Sequence, residues 1–100
     1  MFEDLEKKHP LIEREPYESP MHVRVRRTGT PVWAVVGNLI ANDWDLKESE
    51  GAYLLTAEEV AAVVRYYDEY GSFIDARLTD TAGGGELLEM NAKHKMRKAF

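Results

Sequence analysis

Apolar and polar residues first alternate along this chain and later recur at helical spacing. His22-Val23-Arg24-Val25-Arg26 has period two, the pattern of a strand with one face on a core. Val23 and Val25 are expected to point inward, Arg24 and Arg26 outward. Thr28-Gly29-Thr30-Pro31 reads as a turn into a helix, with Thr30 as N-cap and Pro31 at the first helical position. From there the period is that of a helix. Val32, Val35, Val36, Leu39 and Ile40 form one stripe, and Asn42-Asp43 ends it. A short second helix over 45–51 offers only Leu46 as an apolar contact, with Lys47, Glu48 and Glu50 solvated. Thr56 and Glu59 have capping-box spacing and open a third helix. That helix is expected to run to about Tyr70, to bury Val60, Val63, Val64 and Tyr67, and to use Gly71 at its C-cap. Phe73, Ile74 and Leu78 predict a short helical extension that packs back.

The two ends read differently from this body. Residues 1–21 hold three of the four prolines and predict an extended N-terminal arm in which only Leu11-Ile12 can dock. Gly83-Gly84-Gly85 predicts a hinge over 81–85. Residues 86–100 predict a basic amphipathic arm, with Leu87, Leu88 and Met90 on one side, separate from the core. The fold class is therefore mainly α. It has a helix-turn-helix-like trihelical core within 22–80, a short N-terminal β-strand or hairpin, and a C-terminal helical arm. Val23, Val25, Trp33, Val36, Tyr66 and Tyr67 are expected in the core or at a dimer interface. A chain of 100 residues supports one modest core, and dimerisation would bury more, so a homodimer is expected.

Composition narrows the chemistry. Cysteine is absent, which excludes disulfides, thiolate metal ligands and a thiol nucleophile. The N-terminus has no apolar leader, and the longest apolar run, Val32 to Ala41, is far short of a membrane span. The expected location is the cytoplasm. The net charge of −5 argues against general nucleic-acid coating. Two stretches, 22–27 and 93–98, are nonetheless basic. Arg24, Arg26, Arg27 and Thr28 form a candidate surface for DNA phosphates. The same arginines also suit an edge strand protected against aggregation. No serine has a nucleophile setting, His9, His22 and His94 are too scattered to suggest a ligand set, and the glycine run lacks a phosphate-loop continuation. No enzyme activity, metal or cofactor is expected.

One resemblance joins these features. Arg26-Arg27-Thr28-Gly29-Thr30-Pro31-Val32-Trp33, followed by Val36-Gly37, resembles the strand-to-helix signature of domain-of-unknown-function family 433. That family is related to VapB-type antitoxins in the helix-turn-helix superfamily. Tyr53-Leu54-Leu55-Thr56-Ala57-Glu58-Glu59-Val60, Tyr66-Tyr67 and Ile74-Asp75 are similar to its second motif. The similarity covers roughly residues 22–78. Two positions depart from it: Arg27 stands where the family has glycine, and Gly29 where it has arginine. The segment 44–51 is also more acidic than the family's corresponding helix start. The resemblance implies a dimeric DNA-binding body and a tail that masks a PIN-like ribonuclease toxin. The tail residues would be Leu87, Leu88 and Met90 in an apolar groove, with Lys93, Lys95, Arg97 and Lys98 substituting for metal among the toxin's carboxylates. A solubilising C-terminus is the alternative for the tail. A stand-alone regulator on operator DNA, or an adaptor, are the alternatives for the whole chain.

Overall fold

The computed structural model describes residues 8–14, 22–81 and 83–99, with side chains as far as Ala92. The expectations for residues 1–7 and 15–21 lie outside the described residues. Two short strands, β1 (Ile12–Arg14) and β2 (Val23–Val25), are followed by four helices. These are α1 (Val32–Ala41), α2 (Leu46–Tyr53), α3 (Ala57–Thr79) and α4 (Gly84–Ala99). The mainly helical class, the N-terminal hairpin, the three-helix core and the C-terminal helix expected from the sequence are all present.

The strands pair antiparallel with Ile12 opposite Val25 and Arg14 opposite Val23. Ile12, Val23 and Val25 turn inward, and Ile12 is fully buried. Part of the predicted arm is thus a core strand. Three residues with one apolar side chain gave too short a pattern to reveal it. Gly29 takes φ +73° and its N–H bonds the Val25 carbonyl, closing the turn that follows β2.

Helix α1 buries its predicted stripe completely. Its start differs from expectation. Pro31 occupies the N-cap position, and no side chain caps the helix. The reason lies in the turn: the Thr30 hydroxyl is bonded to that of Thr28 at 2.7 Å, and an isolated bridge between Arg24 and Pro31 keeps the backbone extended to residue 31. Asp45 caps α2, accepting from the Lys47 and Glu48 N–H groups. Between these helices Asp43 and Trp44 both adopt left-handed backbone, φ +55° and +62°. This is a costly conformation for a tryptophan. Hydrogen bonds hold it: the Trp44 N–H donates to the Leu39 carbonyl at 2.6 Å.

Helix α3 carries the capping box complete. It does not end at Tyr70. The backbone leaves helical geometry there, at φ −119° and ψ 27°, and then continues to Thr79. Gly71 is therefore inside a kinked helix and not a C-cap. The kink lets both halves of α3 face the same core, the first through Val60, Val63 and Tyr66 and the second through Ile74 and Leu78, all buried. Val64 is only half-buried, and Phe73 is exposed rather than packed back. No helix among the described residues is long and apolar enough to cross a membrane.

The C-terminal helix is the main departure. It was expected to stand apart beyond a glycine hinge, and instead its first half packs on α1 and α3. Leu87 and Leu88 pack against the core, and Leu87 reaches Gly37 of α1. The glycines make a tight turn. Gly83 has φ +79°, and a Cβ on Gly84 would run into the Leu78 carbonyl. That close approach, unavailable to any other residue, brings α4 back onto the body.

Candidate functional site

Three regions of the structure carry candidate chemistry, two of them singled out by the sequence. The first is the arginine strand. On β2, the Arg24 Nε donates to Glu13 Oε1 of β1 at 2.6 Å. Arg26 just beyond it reaches the other oxygen of Glu13 at 3.3 Å and the Pro10 carbonyl at 3.2 Å. Arg27 grips Glu59 with a two-toothed bond, Nε to Oε2 at 3.0 Å and Nη2 to Oε1 at 2.8 Å. Its Nη2 also donates to the Leu54 carbonyl at 2.9 Å. Glu59 is only 4% exposed. The Arg27 guanidinium holds the Glu59 carboxyl below the usual carboxylate range, against the opposing effect of burial and with help from Thr56. Thr28 stays in its turn. These four residues, expected to face DNA, are thus bonded within the fold.

Val23, Val25, Val36, Tyr66 and Tyr67 are buried within the chain. Trp33 is half-buried under the Arg77 guanidinium, 4.3 Å from its ring centroid. Tyr66 stacks on Tyr70 at 4.8 Å and meets His9 edge-on at 5.3 Å. His9, itself buried, bonds Glu69 at 2.8 Å and so fastens the described N-terminal segment to α3. Ser49 is buried and donates to the Asn38 side chain, a structural role.

The third region was not foreseen. A groove of about 660 Å³ lies between the α1–α2 connection, the kinked middle of α3 and Asn91 midway along α4. Its floor is a chain of hydrogen bonds. Trp44 Nε1 donates to Asn91 Oδ1 at 3.0 Å. The Asn91 amide donates to the Tyr67 hydroxyl at 3.0 Å, which donates to Asp75 Oδ1 at 2.6 Å. Burial, with Asp75 beside it, pushes the Tyr67 phenol up, so it remains a donor across physiological pH. Asn91 is 4% exposed, so both its bonds replace water. The rim adds Asp68 and Glu69, and Leu46 and Val64 supply apolar walls. No lysine or arginine is among the described residues that line it.

The tail residues divide at this groove. Leu87 and Leu88 are half-buried on the body, and Met90 is 47% exposed. The backbone of α4 continues to Ala99, while the side chains of Lys93, Lys95, Arg97 and Lys98 lie outside the described residues. Asn91 carried a signal that sequence reading passed over. It follows Leu87 and Leu88 at i+4 and i+3, so it continues their stripe with a polar residue. A buried position on an amphipathic stripe that is filled by an amide calls for partners elsewhere in the fold.

Among the described residues no three His, Asp or Glu side chains form a metal set. Comparison with protein-family models, with curated proteins and with solved structures finds no match to this chain.

Proposed function

We propose that this chain is an antitoxin-like, non-enzymatic binding module of the cytoplasm whose C-terminal helix end engages a PIN-like ribonuclease. The resemblance over residues 22–78 suggests the class. The observation that carries the reading is the form of α4. It is clamped to the body through Leu87 and Asn91, then runs on as helix for eight more residues to Ala99. Those eight residues span ~12 Å at the rise of an α-helix. Its sequence holds Lys93, Lys95, Arg97 and Lys98, a concentration of positive charge on an acidic chain. A helix already formed and anchored loses less entropy on binding than a disordered arm, so a short basic segment suffices for recognition.

Autoregulation through DNA is the less favoured part of this reading. Phosphates that bind Arg24, Arg26 and Arg27 would compete with Glu13 and the buried Glu59 for the same guanidinium groups. The loss of Glu59's partner would leave a buried carboxylate uncompensated, which is costly.

The test compares the full chain with a version ending at Ala92, which keeps every described contact of α4. Each is tagged and purified from the native cell, and proteins that accompany it are identified by mass spectrometry. Any small nuclease recovered is then assayed for RNA cleavage with each version added. Inhibition by the full chain, lost at least tenfold on truncation, is the expected result. Equal inhibition by both versions, or no nuclease with either, overturns the reading.

A further inference from the structure

We infer that α4 is a latch: it undocks from α1 and α3 as one unit, turning about Gly83–Gly85, while the body it leaves stays folded. Trp44 is its catch. The inference concerns how α4 is held, and it stands whether or not the end of that helix meets a nuclease.

The core closes without α4. The buried apolar cluster draws its members from β1, β2, α1, α3 and Leu55 just before α3. Leu87 and Leu88 pack half-buried against the outside of that cluster, and Met90 is exposed. The described side chain that α4 buries most deeply is not apolar at all but the Asn91 amide. An element with few buried apolar contacts belongs to the low end of a protein's range of local stabilities.

Undocking also strands no polar partner of that amide. The Tyr67 hydroxyl keeps its 2.6 Å bond to Asp75 when Asn91 leaves. The Trp44 indole lines the groove, where water can replace the Asn91 oxygen as acceptor. Asn91 itself moves into water. A buried group left without a partner is what makes most openings unfavourable, and this opening avoids it.

The connections at both ends favour the same motion. Gly83, Gly84 and Gly85 join α3 to α4, and glycine regains more backbone freedom than any other residue when a turn is released. At the other end, Trp44 holds left-handed backbone beside a left-handed Asp43. Its N–H bond to Leu39 lies within the α1–α2 connection, whereas its indole is fixed by Asn91 of α4. Undocking therefore frees the side chain of a residue whose backbone is already disfavoured. The position of α4 is in this way coupled to the connection that leads into α2, two elements sharing one switch. Docked, α4 has a single direction relative to the body. Open, its axis has many.

The experiment is hydrogen exchange followed by NMR on the unmodified full-length chain, in urea concentrations below the unfolding transition. An undocked helix of 16 residues is marginal in water, so opening exposes its amides together with the Trp44 indole N–H. Corrected for intrinsic rates, the amides of Leu88 to Asn91 and the Trp44 indole should share one protection factor. That factor should lie about a hundredfold or more below the protection of Val63 to Tyr67 in α3. It should change little with urea, because undocking exposes little surface, while the protection of α3 falls steeply. Equal protection and equal urea dependence in α4 and α3 make them one cooperative unit and overturn the inference. A split between the α4 amides and the indole, in either direction, overturns it too, since the helix and its catch then move separately. The nuclease assay does not depend on these rates.

Discussion

Arg27 and Glu59 show how one residue can serve a role its neighbours in sequence do not suggest. Arg27 completes a basic run, and Glu59 completes a capping box. Across 32 positions they form a two-toothed ion pair over a buried carboxylate. The cap was readable because its partners are three residues apart. The pair was not, since nothing local links residue 27 to residue 59. The depressed Glu59 pKa has a definite consequence for acid stability. Its contribution is fully present above the ordinary carboxylate value of about 4.3 and is lost as pH falls through the lower folded value. Urea unfolding between pH 3 and pH 7 should show this loss, and Glu59→Gln should flatten that limb of the profile. Thr56→Ala removes the reciprocal half of the cap and should cost about 1 kcal/mol in the same assay at pH 7. Asn91→Ala strips the acceptor from the Trp44 N–H and one of the partners from the Tyr67 hydroxyl, and should cost about 1–3 kcal/mol.

At the scale of elements, periodicity told most about the long helices and least about their joints. The stripe of α1 was readable because five apolar residues repeat at helical spacing, and the opening of α3 because Thr56 and Glu59 stand at capping-box spacing. Strand β1 was missed as a strand, although its buried Ile12 belonged to the one pair thought able to dock. Ile12→Ala should lower stability by about 2–5 kcal/mol, a full core penalty from a residue in what reads as an arm. The joints depended on glycines whose roles sequence alone leaves ambiguous. Gly71, next to a kink, was read as a helix end. Gly84, at a tight approach, was read as part of a hinge. Substituting alanine separates the two readings of the triplet: a hinge tolerates Gly84→Ala, whereas the packed turn seen here does not. Thermal unfolding followed by circular dichroism should show a clear loss for Gly84→Ala. Little change is expected for Gly85→Ala, where a Cβ meets nothing. Leu54 is the reverse case, a large residue 80% exposed and held at φ +54°. Leu54→Gly removes that backbone strain and should be neutral or stabilising by up to about 1 kcal/mol.

For the molecule as a whole, the fold class was readable and the attachment of α4 was not. Three consecutive glycines and a change in charge look like a boundary when only local composition is considered. Contacts at long range reverse that: Gly37 of α1 leaves room for Leu87, and Trp44 and Tyr67 wait for Asn91. The candidate site shares this difficulty, because its floor draws one residue each from the α1–α2 connection and α4 and two from α3. The whole-molecule prediction is a pair of truncations. Ending the chain at Ala92 should leave the melting temperature nearly unchanged. Ending it at Gly85 removes Leu87, Leu88 and Asn91 and should lower it markedly, by roughly 4–8 °C for each kcal/mol lost.

The bond from Trp44 to Asn91 also gives this protein a built-in optical signal. Its two tryptophans report on different events: Trp33 sits under Arg77 on the α1–α3 contact, while the Trp44 indole is held by α4 itself. Release of α4 would expose the Trp44 indole to water and shift its emission to the red, with Trp33 left in place. In a Trp33→Phe background, fluorescence alone would then follow docking and undocking of the C-terminal helix in real time, without an attached dye.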